Sequence, residues 1–242
     1  MILWLGRWVL QEACRQMAAW KVQFQTGAPG IVSVNLSARQ FAQPDLVSQL
    51  AQVLEKTGLD ARQLKLEMTE SLVMQNVETA SAMLKEMKAL GVLLAIDDFG
   101  TGYSSLSYLS RFPIDTLKVD RSFVSRIGED KENLEIVRTI ITLAHNLKMN
   151  VIAEGVETAE QLSQLRDLGC EYGQGYYFSR SVSAEEASHL IADLLPPQRD
   201  MEQPPVDPID SLSPVLSEQI QDVNVQPFIK GSSPESHLTE SY

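Results

Sequence analysis

Residues 92–98 read Val-Leu-Leu-Ala-Ile-Asp-Asp, an unbroken apolar run that ends in two adjacent carboxylates. An apolar run of this kind suits a strand that is buried on both faces, as in a parallel sheet covered by helices. Residues 99–102, Phe-Gly-Thr-Gly, follow at once, and their two glycines allow unusual backbone conformations. The stretch therefore predicts a central strand that delivers two acids to a loop.

Similar short runs of β-branched or aliphatic residues recur along the chain, at residues 30–36, 63–68, 115–120, 150–154 and 171–178. Amphipathic stretches with helical spacing lie between most of them. Helix start and stop signals support this division, at Thr158 with Gln161, at Ser183 with Glu186, and at Gly58 and Gly169. Strands that alternate with helices predict a parallel α/β sheet.

Periodicity alone does not decide between a closed barrel and an open doubly wound sheet. No glycine-rich phosphate fingerprint follows the first strand, which removes one argument for a dinucleotide-binding open sheet. A polar residue instead ends each strand in turn: Asn35, Glu67, Asp97 with Asp98, Lys118, Glu154 and Gln174. These ends converge on one face of a (β/α) barrel, where active sites lie, so the pattern favours a TIM-like (β/α) barrel.

Composition limits the partners of the chain. The 242 residues carry a net charge of −12, and so acidic a chain repels the phosphate backbone of nucleic acid. We therefore expect no DNA partner. The apolar start at residues 1–6 is too short to span a bilayer, and Cys14 and Cys170 stand apart, typical of buried thiols in a reducing compartment. We expect a soluble cytoplasmic chain without membrane attachment.

A sharp change in composition follows residue 195. Residues 196–242 contain eight of the eleven prolines, and eight acids against two bases. Such a segment buries too little apolar surface to offset its ordering entropy, so the sequence predicts a disordered acidic tail after a domain of residues 1–195. The tail's short apolar pairs, Val215-Leu216 and Phe228-Ile229, are candidate docking points.

The acidic strand ends indicate a metal site. Two adjacent carboxylates, Asp97 and Asp98, repel one another unless a cation lies between them. Oxygen ligands suit Mg²⁺ or Mn²⁺, and no cluster of Cys and His offers a zinc site. The alternative is that each carboxylate pairs with Lys or Arg and only ends its strand. Four carboxylates at the same end of different strands favour the metal site.

The remaining ionisable residues are less informative. His145 and His189 fall in amphipathic helices and read as surface or packing residues. Lys118 alternates with Leu117 and Val119, so on a strand it points opposite to them. There it can hold a phosphate or a water, or simply neutralise the acids.

Six segments in register resemble the EAL-domain cyclic-di-GMP phosphodiesterases. They are residues 34–40 (Val-Asn-Leu-Ser-Ala-Arg-Gln), 66–71 (Leu-Glu-Met-Thr-Glu-Ser), 96–105 (Ile-Asp-Asp-Phe-Gly-Thr-Gly-Tyr-Ser-Ser), 116–123 (Thr-Leu-Lys-Val-Asp-Arg-Ser-Phe), 153–157 (Ala-Glu-Gly-Val-Glu) and 174–178 (Gln-Gly-Tyr-Tyr-Phe). One such fragment is weak evidence, but six in the same order and spacing are highly specific. The resemblance covers roughly residues 3–195.

The resemblance implies a role for each matching residue. It implies that Asn35, Glu67, Asp97 and Asp98 are ligands of a two-metal site, with Asp97 as a bridge. Glu154 corresponds to a glutamate that acts as a metal ligand or as the general base near the attacking water. Lys118 corresponds to a lysine that helps to hold and activate that water, and Gln174 corresponds to a polar partner nearby.

The resemblance also implies a loop anchor and a reaction. Glu70 matches a glutamate that anchors the loop from Phe99 to Leu109, through which the family links metal occupancy to substrate binding and homodimer formation. The implied reaction is in-line attack of an activated water on one phosphodiester of cyclic di-GMP. Mg²⁺ or Mn²⁺ is the implied cofactor, and the product is the linear dinucleotide.

The sequence departs from the family pattern at one point. The motif Glu-Ala-Leu, whose glutamate is a metal ligand, does not occur in these residues. The match begins in the helix that follows the motif, so we expect an incomplete barrel with about six of the eight strands. Three hypotheses follow: a phosphodiesterase that is weak or inactive in this chain alone, a catalytically impaired module that binds cyclic di-GMP or a partner protein, and a nonfunctional remnant.

Overall fold

A computed structural model describes residues 2–102, 106–128 and 131–195 of the chain. The strands are β1 (Val32–Asn35), β2 (Leu64–Thr69), β3 (Leu93–Phe99), β4 (Thr116–Val119), β5 (Asn150–Glu154) and β6 (Tyr172–Gln174). The helices are α1 (Ile2–Phe24), α2 (Ala38–Phe41), α3 (Leu46–Thr57), α4 (Glu70–Met74), α5 (Val77–Ala89), α6 (Leu106–Leu109), α7 (Arg121–Val124), α8 (Lys131–Asn146), α9 (Ala159–Asp167) and α10 (Ala184–Leu194).

The six strands form one sheet in the order β1-β2-β3-β4-β5-β6, and every neighbouring pair is parallel. The sheet curls into an incomplete barrel, as the sequence predicts, and β1 and β6 are its edge strands. Helices between consecutive strands cover the outer face, as parallel pairing requires. The carboxyl ends of all six strands therefore lie at one rim.

The core explains why the apolar runs are continuous. Leu94, Ala95 and Ile96 of β3 are all fully buried, although their side chains alternate between the barrel interior and the helix layer. Cys14 and Cys170 are also buried and unpaired, and burial raises the pKa of the Cys14 thiol to about 11. The prediction that both thiols are buried is therefore confirmed.

The helix signals of the sequence have the expected geometry. Thr158 and Gln161 form a capping box at the start of α9, and Ser183 and Glu186 form another at α10. Gly58 ends α3 in the left-handed region, with φ of 67°, where a side chain would be strained. Local chemistry therefore sets these helix boundaries.

The last strand is shorter than the sequence predicts. We expected a strand at residues 171–178, but β6 ends at Gln174. After that residue the chain crosses the loop that follows β5, where a Cβ atom on Gly175 would lie 2.2 Å from the Val156 carbonyl oxygen. The Tyr177 N–H then donates to that same carbonyl, at 3.0 Å, so residues 175–178 turn beside the rim.

Two predictions concern segments that the structure does not describe or describes only partly. The tail of residues 196–242 lies outside the described residues, as do residues 103–105 of the predicted loop. Among the described residues, no helix combines the length and the apolar character that crossing a bilayer requires.

Candidate active site

The polar residues that end the strands lie at one rim of the barrel. Asn35 of β1 pairs in register with Glu67 of β2, and Glu154 of β5 pairs with Gln174 of β6. Side chains that pair in register share a face of the sheet, and Lys118 contacts both Glu67 and Glu154, so all four side chains lie on one face. Asn35 and Gln174 stay exposed because each belongs to an edge strand, whereas Glu67 is buried.

Lys118 lies at the centre of the cluster. Its Nζ atom is 2.5 Å from Glu67 Oε2 and 2.9 Å from Asp97 Oδ1, and it also contacts Glu154 Oε1. Carboxylates from three different strands thus surround one ammonium group that is only 3 % exposed. The predicted Lys118 side chain does point away from Leu117 and Val119, into the acidic rim.

Burial and hydrogen-bond partners have opposite effects on the pKa of Lys118. Burial alone would lower the pKa of Lys118, but the hydrogen bonds to Glu154 and Glu67 outweigh it and raise the pKa above its ordinary value. The lysine therefore stays charged. One cation among several carboxylates leaves an excess of negative charge, which a divalent cation can offset.

A bulge in β3 brings two adjacent acids to the same site. Ile96 pairs with Leu117, and Phe99 pairs with Val119, so Asp97 and Asp98 together oppose the single residue Lys118. Asp98 adopts a φ of 54°, which is unusual for a residue other than glycine. In a regular strand these two side chains would point to opposite faces, and the bulge removes that restriction.

The bulge produces an acidic trio suited to a metal ion. Carboxylate oxygens of Asp97, Asp98 and Glu154 lie within 4.8 Å of one another. Three hard oxygen donors, partly exposed at a strand rim, are ligands that Mg²⁺ and Mn²⁺ accept. This trio shares Asp97 and Asp98 with the predicted ligand set. Glu67 is not part of the trio but pairs with Lys118, as Asp97 and Glu154 also do, and Asn35 ends the edge strand β1.

Two members of the trio hold their protons more tightly than an ordinary carboxyl group. Burial raises the pKa of Glu154, although its hydrogen bond to Lys118 opposes the shift. Burial also raises the pKa of Asp98, and the neighbouring charges of Asp97 and Asp120 raise it further. Since like charges cause part of both shifts, a bound cation would reverse that part.

Glu70 connects the rim to the loop that follows β3. Its carboxylate is 2 % exposed at the start of α4 and accepts a hydrogen bond from the Gly100 N–H, at 3.2 Å from Glu70 Oε2. A Cβ atom added to Gly102 would lie 3.1 Å from Glu70 Oε1. The first part of the predicted loop thus lies against the residue predicted to anchor it.

Sequence reasoning missed several charged residues at the site. Lys65 is 6 % exposed on the same face of β2 as Glu67, two residues away, and burial lowers its pKa. The sequence did contain a signal for Lys65, because residues two apart on a strand, such as Lys65 and Glu67, point to the same face. A cleft of about 190 Å³ also adjoins Glu154, with Arg121, Gln174 and Tyr176 among its lining residues. Arg121 there pairs with Glu157, with 2.6 Å between Nη2 and Oε1.

The position of Lys118 leads to a prediction about stability. Lys118→Met leaves Glu67, Asp97 and Glu154 without their shared cation, so in a chelator the free energy of unfolding should fall by about 3 kcal/mol. Added Mn²⁺ should restore part of that loss, because it binds the folded protein and replaces the missing charge. Denaturant unfolding with and without Mn²⁺ measures both effects.

Lys88→Met is the matched control. Lys88 pairs with Asp115 at 2.9 Å, but this pair is partly exposed, and its loss should cost less than about 1 kcal/mol, without rescue by metal. Equal losses in the two variants, both insensitive to Mn²⁺, would contradict the central role given to Lys118.

The described residues thus define a class of fold and site, an incomplete (β/α) barrel with an acidic rim around a buried lysine. Similarity to known proteins agrees with that class and narrows it. The EAL domain family matches residues 1–181, and the chain therefore belongs to the EAL domain family.

Individual relatives are similar over most of the described chain. The cyclic di-GMP phosphodiesterase NbdA of Pseudomonas aeruginosa is 42% identical over 207 residues, which are 84% of this chain but 26% of that protein. An uncharacterized protein of Azorhizobium caulinodans is 43% identical over 194 residues, which are 79% of this chain and again 26% of that protein. The chain thus spans about a quarter of the length of each of these two relatives.

Solved structures give the same result. The PaMucR phosphodiesterase in complex with c-di-GMP superposes with a TM-score of 0.73 at 41% identity, covering 77% of this chain and 74% of that chain. The EAL domain of Mycobacterium smegmatis DcpA superposes with a TM-score of 0.73 at 39% identity, covering 78% of this chain and 84% of that chain.

Proposed function

We propose that the rim is the greater part of a metal-dependent phosphodiesterase site for cyclic di-GMP, which the complete domain hydrolyses to the linear dinucleotide. The observation that carries the proposal is the buried ammonium of Lys118 among carboxylates from β2, β3 and β5. The relatives support the substrate, since PaMucR is solved with c-di-GMP and NbdA is a cyclic di-GMP phosphodiesterase.

Each residue would contribute through its position. Asp97, Asp98 and Glu154 would hold a divalent ion, Mg²⁺ or Mn²⁺, with Glu67 and Asn35 beside them as further oxygen donors. A bound ion would lower the pKa of a water and offset the negative charge that develops on the phosphodiester. Lys118, fixed by three carboxylates, would orient that water. If Asp97 and Asp98 alone hold the ion, Glu154, which lines the cleft, would instead be the general base that takes the proton of the water.

The cleft beside Glu154 is where a substrate would enter the site. Arg121 and Tyr176 offer a guanidinium group and an aromatic ring there, and Gln174 offers an amide. A cyclic dinucleotide carries two phosphates and two purines, which these groups match in kind. The loop of residues 99–109 and its anchor Glu70 would couple this site to a second copy of the domain.

A binding module is the second candidate function. The residues of this chain include no Glu-Ala-Leu motif, and β1 and β6 are open edges of the sheet. Such a site retains most polar groups for the ligand but lacks one family metal ligand. The chain would then bind cyclic di-GMP and release it unchanged, while a nonfunctional remnant would do neither.

One pair of measurements separates these functions. A hydrolysis assay with Mn²⁺ detects the linear dinucleotide, and a calorimetric titration with cyclic di-GMP detects binding. Both assays use the chain with two further strands and a Glu-Ala-Leu motif joined ahead of residue 1, because the chain alone should hydrolyse the ligand very poorly. In that protein, product formation indicates the phosphodiesterase, and binding without product indicates the module. If neither binding nor product is detected at millimolar ligand, the proposed site is contradicted.

A further inference from the structure

The first two turns of α1 present an apolar surface to solvent. Trp4 is 71% exposed and Trp8 is 53% exposed, and Ile2, Leu5 and Val9 are each about 40% exposed. We call these five residues the tryptophan patch. The opposite face of α1 is buried through Leu10, Cys14 and Met17, so the patch lies on the outer side of the helix. A contiguous patch of large apolar side chains marks an interaction surface.

The outer side of α1 changes character after the patch. Glu12 and Arg15 form an ion pair there, at 2.6 Å, in place of apolar side chains. A cavity of about 300 Å³ adjoins the patch on its other side, and Leu3, Trp4, Arg7, Leu10 and Leu46 are among its lining residues. Trp4 belongs to both the patch and this cavity, which also has polar lining residues such as Gln40, Gln43 and Asp45. We call the patch and the cavity together the groove at the amino end of α1.

Charge distinguishes α1 from the rest of this acidic chain. The helix contains three basic residues, Arg7, Arg15 and Lys21, and one acid, Glu12. Within the described residues, Arg7 makes no ion pair, although Asp45 also lines the cavity. Arg15 pairs with Glu12, and Lys21 lies at the other end of the helix, so Arg7 is the basic residue beside the patch. Its positive charge attracts the acidic tail as a whole, and apolar anchors on the tail would fit the patch.

The chain itself supplies such a segment, and it starts close by. The Trp20 Nε1–H donates to Ser188 Oγ at 2.8 Å, and Leu195 contacts Gly27, so α10 packs against the carboxyl end of α1. Leu195, the last described residue, therefore lies beside one end of α1. The patch lies at the other end of the helix, about 30 Å away at 1.5 Å per helical residue. Roughly nine extended residues span that distance, and 47 residues follow Leu195.

One stretch of the tail has the apolar spacing that the groove requires. Residues 213–223 read Ser-Pro-Val-Leu-Ser-Glu-Gln-Ile-Gln-Asp-Val, with Leu216, Ile220 and Val223 at helical spacing. Ser followed by Pro is a typical helix start. Glu218 and Asp222 fall on the opposite side of such a helix, toward solvent. The second apolar pair, Phe228-Ile229, also has helical spacing from Val225, but Pro227 lies between them and interrupts a helix there.

We propose that residues 213–223 dock on the tryptophan patch, with Leu216, Ile220 and Val223 as the anchors. The docking is intramolecular, and a tether of this length gives an effective concentration near the millimolar range, so a weak contact suffices. The acidic tail would cover the exposed end of a basic helix. Because the inner side of α1 packs against β1, docking would also support the edge strand that carries Asn35.

Tryptophan fluorescence of the full chain tests this docking. The chain has three tryptophans, Trp4 and Trp8 in the patch and the half-buried Trp20. The double variant Leu216→Asp with Ile220→Asp removes two anchors and should shift the emission to longer wavelength. Quenching by acrylamide should increase about 1.5- to 2-fold, as expected if about half of the molecules are docked at millimolar effective concentration.

The matched control is Phe228→Asp with Ile229→Asp, which adds the same charge to the same tail. It should leave emission and quenching unchanged. The proposal is overturned if the Leu216 and Ile220 variant behaves like the unsubstituted chain, or if the control changes as much. It is also overturned if patch exposure depends on protein concentration and light scattering shows a dimer, because a second copy then covers the patch.

Discussion

Asp97→Asn in the full chain should abolish specific binding of Mg²⁺ or Mn²⁺. Asp97 belongs to the acidic trio with Asp98 and Glu154, and it also contacts Lys118 at 2.9 Å. An amide at this position removes one negative charge where the site needs it most, while the side-chain volume hardly changes. Isothermal titration of Mn²⁺ into the metal-free protein measures the effect directly.

Asp60→Asn provides the matched control for this change. Asp60 is a surface residue that pairs with Arg62 at 2.6 Å, outside the rim. Its variant makes the same chemical change and should bind Mn²⁺ like the unsubstituted chain. Unchanged metal affinity in Asp97→Asn would remove Asp97, and with it the bulge in β3, from the proposed metal site.

Residues 1–195 should hydrolyse cyclic di-GMP very poorly, even with ample Mn²⁺. Mutation of a residue that hydrogen-bonds to a metal ligand commonly lowers activity about 10- to 100-fold. Here a metal ligand itself, the glutamate of the Glu-Ala-Leu motif, is absent from the chain. The deficit should therefore exceed about 100-fold. Two-metal hydrolysis also needs ions roughly 4 Å apart, and a sheet with two open edges holds that spacing poorly.

Complementation tests this explanation. A segment that carries two further strands and a Glu-Ala-Leu motif, joined ahead of residue 1 or added as a separate fragment, should restore turnover. The same segment with Gln in place of the motif glutamate is the control, and it should restore the fold without the activity. Robust hydrolysis by residues 1–195 alone would show that the missing glutamate is dispensable.

Much of the fold could be predicted because its signals are local. The apolar run at residues 92–96 predicts a strand buried on both faces, and β3 is such a strand. The capping residues Thr158 and Ser183 satisfy the first backbone N–H groups of their own helices, which needs no distant partner. The convergence of polar strand ends follows from the barrel geometry once the strands are parallel.

The geometry of the site was less predictable because it depends on contacts between strands. Strict alternation would place Asp97 and Asp98 on opposite faces, and only the bulge opposite Lys118 brings them together. A sequence does not specify how Lys118 divides its contacts between Glu67, Asp97 and Glu154. The early end of β6 likewise depends on the close approach of Gly175 to Val156.

The decisive measurement is the affinity of the full chain for Mn²⁺ with and without cyclic di-GMP. If the metal ion and an anionic phosphodiester of the ligand lie together at the rim, their opposite charges should make each strengthen the binding of the other. Linkage requires the factor to be the same in both directions. We expect cyclic di-GMP to raise Mn²⁺ affinity at least about fivefold, and Asp97→Asn to remove this coupling. Equal Mn²⁺ affinity in the presence and absence of cyclic di-GMP would contradict a shared site at the carboxyl ends of the strands.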